Sequence, residues 1–230
     1  MIRGLPECKE IIILAPHPDD EALGCAGTLA LLNQEGVSST VVFLTDGECL
    51  NGAPSAEVAA ARRAEALRCS EMLGCREPVF LGLPDGVVGS HINEGLTMLS
   101  GIIGQKKPDI VFSPSPLDHH QDHLATARIA TRMLEDLGTF RLAFYEEYST
   151  VRFNHLVDIT MVVETKKQAI LNYRTSLYGT PGKYVHAALG LNAQRSIFTE
   201  KEGYYEAFYI VGSDGLGRIR DHLSYGDPDT

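Results

Sequence analysis

The chain has no tryptophan and only 7% aromatic residues, so whatever core it buries has to be built mainly from aliphatic side chains. It also lacks any apolar run approaching the ~20 residues that a membrane-spanning helix needs. The opening Met1-Ile2-Arg3-Gly4-Leu5-Pro6 has no apolar stretch of signal-peptide length, so a cytoplasmic protein without a membrane span is expected. Positive charge is scarce: 20 Lys and Arg stand against 30 Asp and Glu, for a formal net charge of −10. That balance argues against a nucleic-acid partner, because binding phosphates requires a basic face. Cysteines are few and odd in number: Cys8, Cys25, Cys49, Cys69 and Cys75 show no paired metal-finger spacing. Reduced thiols used for packing are the expectation at this size.

What the sequence does contain is an alternation of short apolar runs and helical patterns. Residues 11–14, 40–45, 79–81 and 110–112 read as strands, separated by helical periodicity over 21–34, 56–73 and 92–103. Ser55 is placed to cap the second of these helices and Gly74 to close it. A further helix is expected over 124–137. Strand alternating with helix at this interval predicts an α/β fold, a Rossmann-like, mostly parallel sheet flanked by helices. Beyond Arg141 the pattern loosens into strands over 142–145, 157–160 and 207–211 with a helix over 164–173. The whole of 1–230 therefore reads as one domain with a less regular C-terminal third. Gly24 and Gly27 are too closely spaced for a dinucleotide fingerprint and are expected to serve close helix packing. The segment Tyr178-Gly179-Thr180-Pro181-Gly182-Lys183-Tyr184 reads as a surface loop, with a flap over the site as its functional alternative.

Two polar clusters interrupt this pattern, each just after a strand. The first is His17-Pro18-Asp19-Asp20-Glu21 and the second is Asp118-His119-His120-Gln121-Asp122-His123. In open α/β sheets ligands bind beyond the carboxyl ends of the strands, where both clusters fall. Either one alone could be a polar turn with a capping aspartate. Together they exceed what turns require and fit a metal site with His and Asp ligands and one position kept for water. His17 and Asp20 can be aimed inward from one loop, and the second cluster must supply a third ligand. Asp19 is placed to be a general base, and a remaining histidine to stabilise an oxyanion. The spacing does not say which histidine takes which role.

With these residues in view, the pairing of Ala15-Pro16-His17-Pro18-Asp19-Asp20-Glu21 with a distant His120-Gln121-Asp122-His123 resembles the LmbE/PIG-L family of zinc-dependent N-acetylglucosaminyl deacetylases. The resemblance runs from Ile11 to about Val211. It implies zinc ligands at His17, Asp20 and His123, a general base at Asp19, and an oxyanion-stabilising His120 that Asp122 orients. It leaves His119 a bystander. Arg62-Arg63-Ala64-Glu65 is similar to an Arg-x-x-Glu helix whose arginine, here Arg62, reaches substrate hydroxyls; a solvated Arg62–Glu65 pair is the plainer alternative. Leu83-Pro84-Asp85-Gly86 is similar to a turn whose aspartate, Asp85, binds sugar hydroxyls, and it also reads as an ordinary turn. The chain departs from the family at Tyr173-Arg174-Thr175-Ser176-Leu177, where leucine stands in place of a glutamine that many members carry. That difference concerns the outer pocket and not the metal.

The implied activity is removal of the N-acetyl group from an N-acetylglucosamine-type sugar or conjugate by attack of a metal-bound water. Zn2+ is the implied cofactor, with Fe2+ as a second candidate. The implied partner is a small N-acetylated amino sugar or glycoconjugate, and the resemblance is compatible with a homo-oligomer. Two other readings compete. Two histidines and a carboxylate also describe a non-haem iron(II) oxygenase triad, which usually sits on antiparallel barrels. A non-catalytic sugar- or nucleotide-binding domain would not need a carboxylate such as Asp19 beside the ligands.

Overall fold

In the computed structural model, which describes residues 2–50, 52–215 and 217, one eight-stranded sheet runs through the protein. Its strands are β1 (Ile2–Arg3), β2 (Glu10–Ala15), β3 (Ser38–Phe43), β4 (Val79–Phe80), β5 (Ile110–Pro114), β6 (Arg141–Tyr145), β7 (His155–Asp158) and β8 (Tyr205–Val211). Their spatial order is β1-β7-β8-β6-β5-β2-β3-β4. All pairings are parallel except those of β8, which runs antiparallel to both β6 and β7. Among the described residues the α-helices that accompany it are α1 (Asp20–Gln34), α2 (Ala56–Leu73), α3 (Ile92–Lys106), α4 (Gln121–Leu137), α5 (Val163–Asn172) and α6 (Pro181–Gln194).

Strand β2 explains why the sheet is covered on both faces. Ile11, Ile12, Ile13 and Leu14 are all fully buried, the unbroken apolar run of a strand without a wet side. Because side chains alternate, Ile11 and Ile13 join a core with α1, α2 and α5, while Ile12 and Leu14 join another with α3 and α4. Helix α1 lies very close to its neighbours. A Cβ on Gly24 would fall 2.3 Å from the Tyr145 ring and one on Gly27 2.7 Å from Ile159, so only glycine lets the helix approach this far. A buried ion pair fastens the same helix. Glu206 of β8 accepts the backbone N–H groups of Gly27 and Thr28 and is paired at 2.6 Å with Lys166 of α5, which also donates to the Leu23 carbonyl.

Helix α2 begins and ends where its capping residues predict: Ser55 accepts the Val58 N–H, and Gly74 turns left-handed at φ 75°. Two expectations need correction. Helix α4 starts at Gln121 and not at Leu124, which places Asp122 and His123 inside its first turn. The segment from Pro181 onward is no loop but the start of the 14-residue α6; Thr180-Pro181, with proline at the first helical position, is the signature that marks such a start. Of that segment only Tyr178 and Gly179 lie in a turn, and Thr180 is the residue that precedes α6.

The chain leaves β2 for β3 and β4 on one side, then crosses to β5 and β6 on the other. Neighbours β2 and β5 therefore flank a topological switch point, and the crevice beyond their carboxyl ends is where such sheets place a ligand site.

Candidate active site

Both polar clusters meet in that crevice. The loop after β2 carries His17 and Asp19 and leads into Asp20, the first residue of α1; the loop after β5 and the first turn of α4 carry Asp118, His120, Asp122 and His123. His17, Asp19, Asp20, His120 and His123 line one cleft of about 180 Å³ together with Cys49, Leu50, Arg62, Asp85, Tyr148, Ser176 and Tyr178. His119 is exposed outside it.

The first loop is folded around Asp20. Its Oδ2 accepts the His17 backbone N–H at 2.8 Å and lies 3.3 Å from His17 Nδ1, while Oδ1 lies 3.5 Å from His123 Nε2. One carboxylate thus stands between two histidines, and their charge holds it well below the usual carboxylate range despite its burial. Asp19 occupies the N-cap position of α1, yet its side chain makes no capping bond and its backbone sits at φ 146°, ψ −27°. A capping aspartate would have bonded the helix N–H groups. Here the carboxylate stays in the cleft, where burial, opposed by the Arg62 guanidinium 3.3 Å away, pushes its pKa up to about 8.

The second loop positions its histidines differently. His120 caps α4, its Nδ1 accepting the Asp122 backbone N–H at 3.2 Å. The ring proton is therefore on Nε2, as a donor. Burial and the neighbouring histidines lower the pKa of His120, which favours this neutral form. His123 is buried, and neither ring nitrogen has a hydrogen-bond partner. Its Nδ1 faces Asp118 at 3.5 Å and Glu147 at 3.6 Å, and although burial opposes it, Asp20 and Asp118 raise its pKa to about 9.

Asp122 is aimed elsewhere than at the His120 ring. Its carboxylate accepts the backbone N–H groups of Gly86 and Val88 and lies 3.3 Å from His17 Nε2. Asp85 shares that nitrogen at 3.1 Å. The two aspartates thus fix the ring of His17, as carboxylates commonly do for a metal-ligating histidine. Arg62 is likewise turned toward the protein: its bonds go to Ser176, to the carbonyls of Gly47 and Pro18, and to Asp19.

Sequence reasoning missed Glu147. The residue is half-buried but its side chain is only 2% exposed, both carboxylate oxygens lack a hydrogen-bond partner, and burial with the charges of Asp20 and Asp19 holds its pKa well above the ordinary value. The signal was available: Glu146-Glu147 follows β6 as the two clusters follow β2 and β5.

The donor set suits a divalent ion. Ligand atoms of His17, His120 and His123 lie within 4.8 Å of one another, as do those of Asp20, His123 and Glu147. The buried His123 nitrogens, without hydrogen-bond partners, fit the role of cation ligands, and the mixture of imidazole and carboxylate is that of catalytic zinc.

Fold and site together define a mostly parallel α/β protein with a histidine–carboxylate cluster of metal-ligand type at the switch point of its sheet. The chain belongs to the PIG-L family, described as GlcNAc-PI de-N-acetylase, which matches residues 12–134. It is 31% identical over 122 residues to the uncharacterized deacetylase YaiS of Escherichia coli, covering 51% of this chain and 63% of that one. It is 26% identical over 189 residues to the diacetylchitobiose deacetylase of Thermococcus kodakarensis, covering 74% and 70%. Among solved structures, the N,N'-diacetylchitobiose deacetylase of Pyrococcus horikoshii superimposes with a TM-score of 0.76 at 25% identity over 91% of this chain and 86% of that one.

Proposed function

We propose that this protein is a metal-dependent deacetylase that removes the acetyl group from an N-acetylglucosamine-type amino sugar or its conjugate. The observation that carries the reading is the shared cleft: Asp19, a carboxylate its helix does not use, and His120, a neutral ring with its proton on Nε2, both line it beside the unsatisfied His123. The family and its relatives named as deacetylases support the choice of reaction.

His17, Asp20 and His123 would hold the ion. Zinc is the favoured occupant and iron(II) the second; either would acidify water and polarise an amide carbonyl. Asp19 takes the proton of the attacking water, and its burial raises the affinity of the carboxylate for that proton. The Nε2–H of His120 donates to the carbonyl oxygen as negative charge develops there. When the C–N bond breaks, the proton held by Asp19 is the one the leaving amine needs. Asp85, at the wall of the cleft, has one oxygen on His17 and the other accepting the Cys49 N–H, so a sugar hydroxyl would add to bonds it already makes. Arg62 acts from behind Asp19.

The test uses N,N'-diacetylchitobiose and acetate release. Asp19→Asn keeps the shape of the base and loses its proton affinity, so it should bind zinc stoichiometrically while turnover falls by about 10²–10⁴. His123→Ala should lose most of the metal. Full activity of Asp19→Asn would end the assignment of Asp19 as base; absence of acetate release by the zinc-loaded wild type from every N-acetyl sugar tried would end the hydrolase reading, and keto-acid-dependent oxygen uptake by the iron form would replace it with an oxygenase.

A further inference from the structure

The backbone at Asp19 is held in a conformation that L-residues avoid, at φ 146°. Such strain is costly and persists only where the surroundings over-determine it. The surroundings here are specific. The carbonyl of Pro18, on the peptide that leads into Asp19, accepts two hydrogen bonds: from Ser176 Oγ at 2.6 Å and from Arg62 Nη2 at 3.1 Å. Arg62 Nη2 also reaches Asp19 Oδ1 at 3.3 Å, and Arg62 Nε donates to Ser176 Oγ at 2.9 Å. The serine hydroxyl therefore gives its proton to Pro18 and accepts from the guanidinium, so both of its hydrogen-bonding functions are committed.

Two further contacts lock this arrangement in place. Glu65, one turn along α2 from Arg62, accepts the backbone N–H of Thr175 at 2.8 Å and of Ser176 at 3.4 Å, tying the 175–176 turn to the helix. Gly47, whose carbonyl accepts from Arg62 Nη1, has φ 63°, and a Cβ there would stand 2.2 Å from that nitrogen. Arg62, Glu65 and Ser176 are all at least 95% buried. The Arg62–Glu65 pair is thus no solvated helix face. Leu177 turns into the core beside α1 and α5, which leaves Ser176 as the polar residue this turn delivers to the cleft.

We propose that Ser176, braced by Arg62 and Glu65, is a positioning residue for the reaction: it clamps the Pro18–Asp19 peptide and so aims the Asp19 carboxylate into the cleft. The inference rests on the assignment of Asp19 as base. Removing the hydroxyl leaves Arg62 Nε without its acceptor and the Pro18 carbonyl held by Arg62 Nη2 alone, so the strained peptide is less firmly fixed.

The experiment compares full-length, zinc-loaded wild type, Ser176→Ala, Asp19→Asn and the double variant on N,N'-diacetylchitobiose, with zinc content and thermal unfolding measured on each. Ser176→Ala should keep its zinc and its KM within about three-fold, and lose kcat by about 10–100-fold, the scale of a sub-ångström to ångström misplacement. In the Asp19→Asn background the same change should have almost no further effect, since neighbours acting through one group are not additive. Wild-type kcat in Ser176→Ala overturns the clamp, and so does an undiminished loss in the Asp19→Asn background. An Asp19→Asn protein as active as wild type removes the base assignment instead, whatever Ser176→Ala does. If Ser176→Ala fails to fold, Glu65→Gln gives the same readings from the other end of the clamp.

Discussion

His120 serves two purposes with one ring. Its Nδ1 closes the first turn of α4 by accepting the Asp122 N–H, and its Nε2–H is left to face the cleft. The two can be separated. His120→Ala loses both, so stability should fall by about 0.5–2 kcal/mol, the usual worth of a cap, and turnover by about a hundred-fold or more. His120→Ser restores a capping oxygen but is too short to reach a substrate carbonyl. It should recover the unfolding midpoint and leave turnover low; recovery of both would place the oxyanion donor elsewhere. At this scale the sequence was most legible where a contact stays within one short segment, as between His17 and Asp20. It was least legible where the partners come from remote segments. Nothing near Asp122 in the chain says that its carboxylate faces His17, and nothing near Arg62 says that Ser176, 114 residues on, is its partner.

Among the elements, α1 is the one with least room. Alanine is a better helix former than glycine by about 1 kcal/mol, so Gly24→Ala would stabilise an unencumbered helix. Here the added carbon would enter the Tyr145 ring, whose hydroxyl is anchored on the Leu14 carbonyl and whose retreat would disturb β2 and β6. Net destabilisation of about 1–3 kcal/mol is expected from overpacking, read from denaturant unfolding; a gain in stability would show that Tyr145 can move freely. The order of elements from β2 to α4 followed from apolar runs and caps, because β2, β3 and β5 are buried along nearly their whole length and α2 is closed by Gly74; the two-residue β1, with Arg3 exposed, offered no such run and was not expected. The later elements were harder to read. In α6 few side chains are fully buried and the apolar periodicity is weak, so Pro181 and Gly182 looked like a turn. The antiparallel course of β8 depends on pairing with β6 and β7, which no local pattern specifies.

Over the whole molecule, the Lys166–Glu206 pair connects α5, β8 and α1 at a single buried point. Lys166→Met keeps the bulk but leaves Glu206 charged and unneutralised in the interior, which should cost about 3–5 kcal/mol. A drop below 1 kcal/mol in chemical denaturation would mean that the N–H groups of Gly27 and Thr28 suffice to hold the carboxylate. The site itself is divided unevenly along the chain. His17, Asp19, Asp20, Asp85, His120, Asp122 and His123 all lie within residues 12–134, the span that matches the family, whereas Glu147, Tyr148, Ser176 and Tyr178 lie beyond it. Descent can therefore act on the two parts separately. Substitutions in the later segment can reshape the mouth of the cleft, where Tyr178 reaches across to the Leu50 carbonyl, without touching any of the seven, so long as Glu147 and Tyr148, which face His123, and Ser176 are spared. Lineages that share the chemistry are then free to diverge in what they accept, and they should differ most between residues 145 and 200.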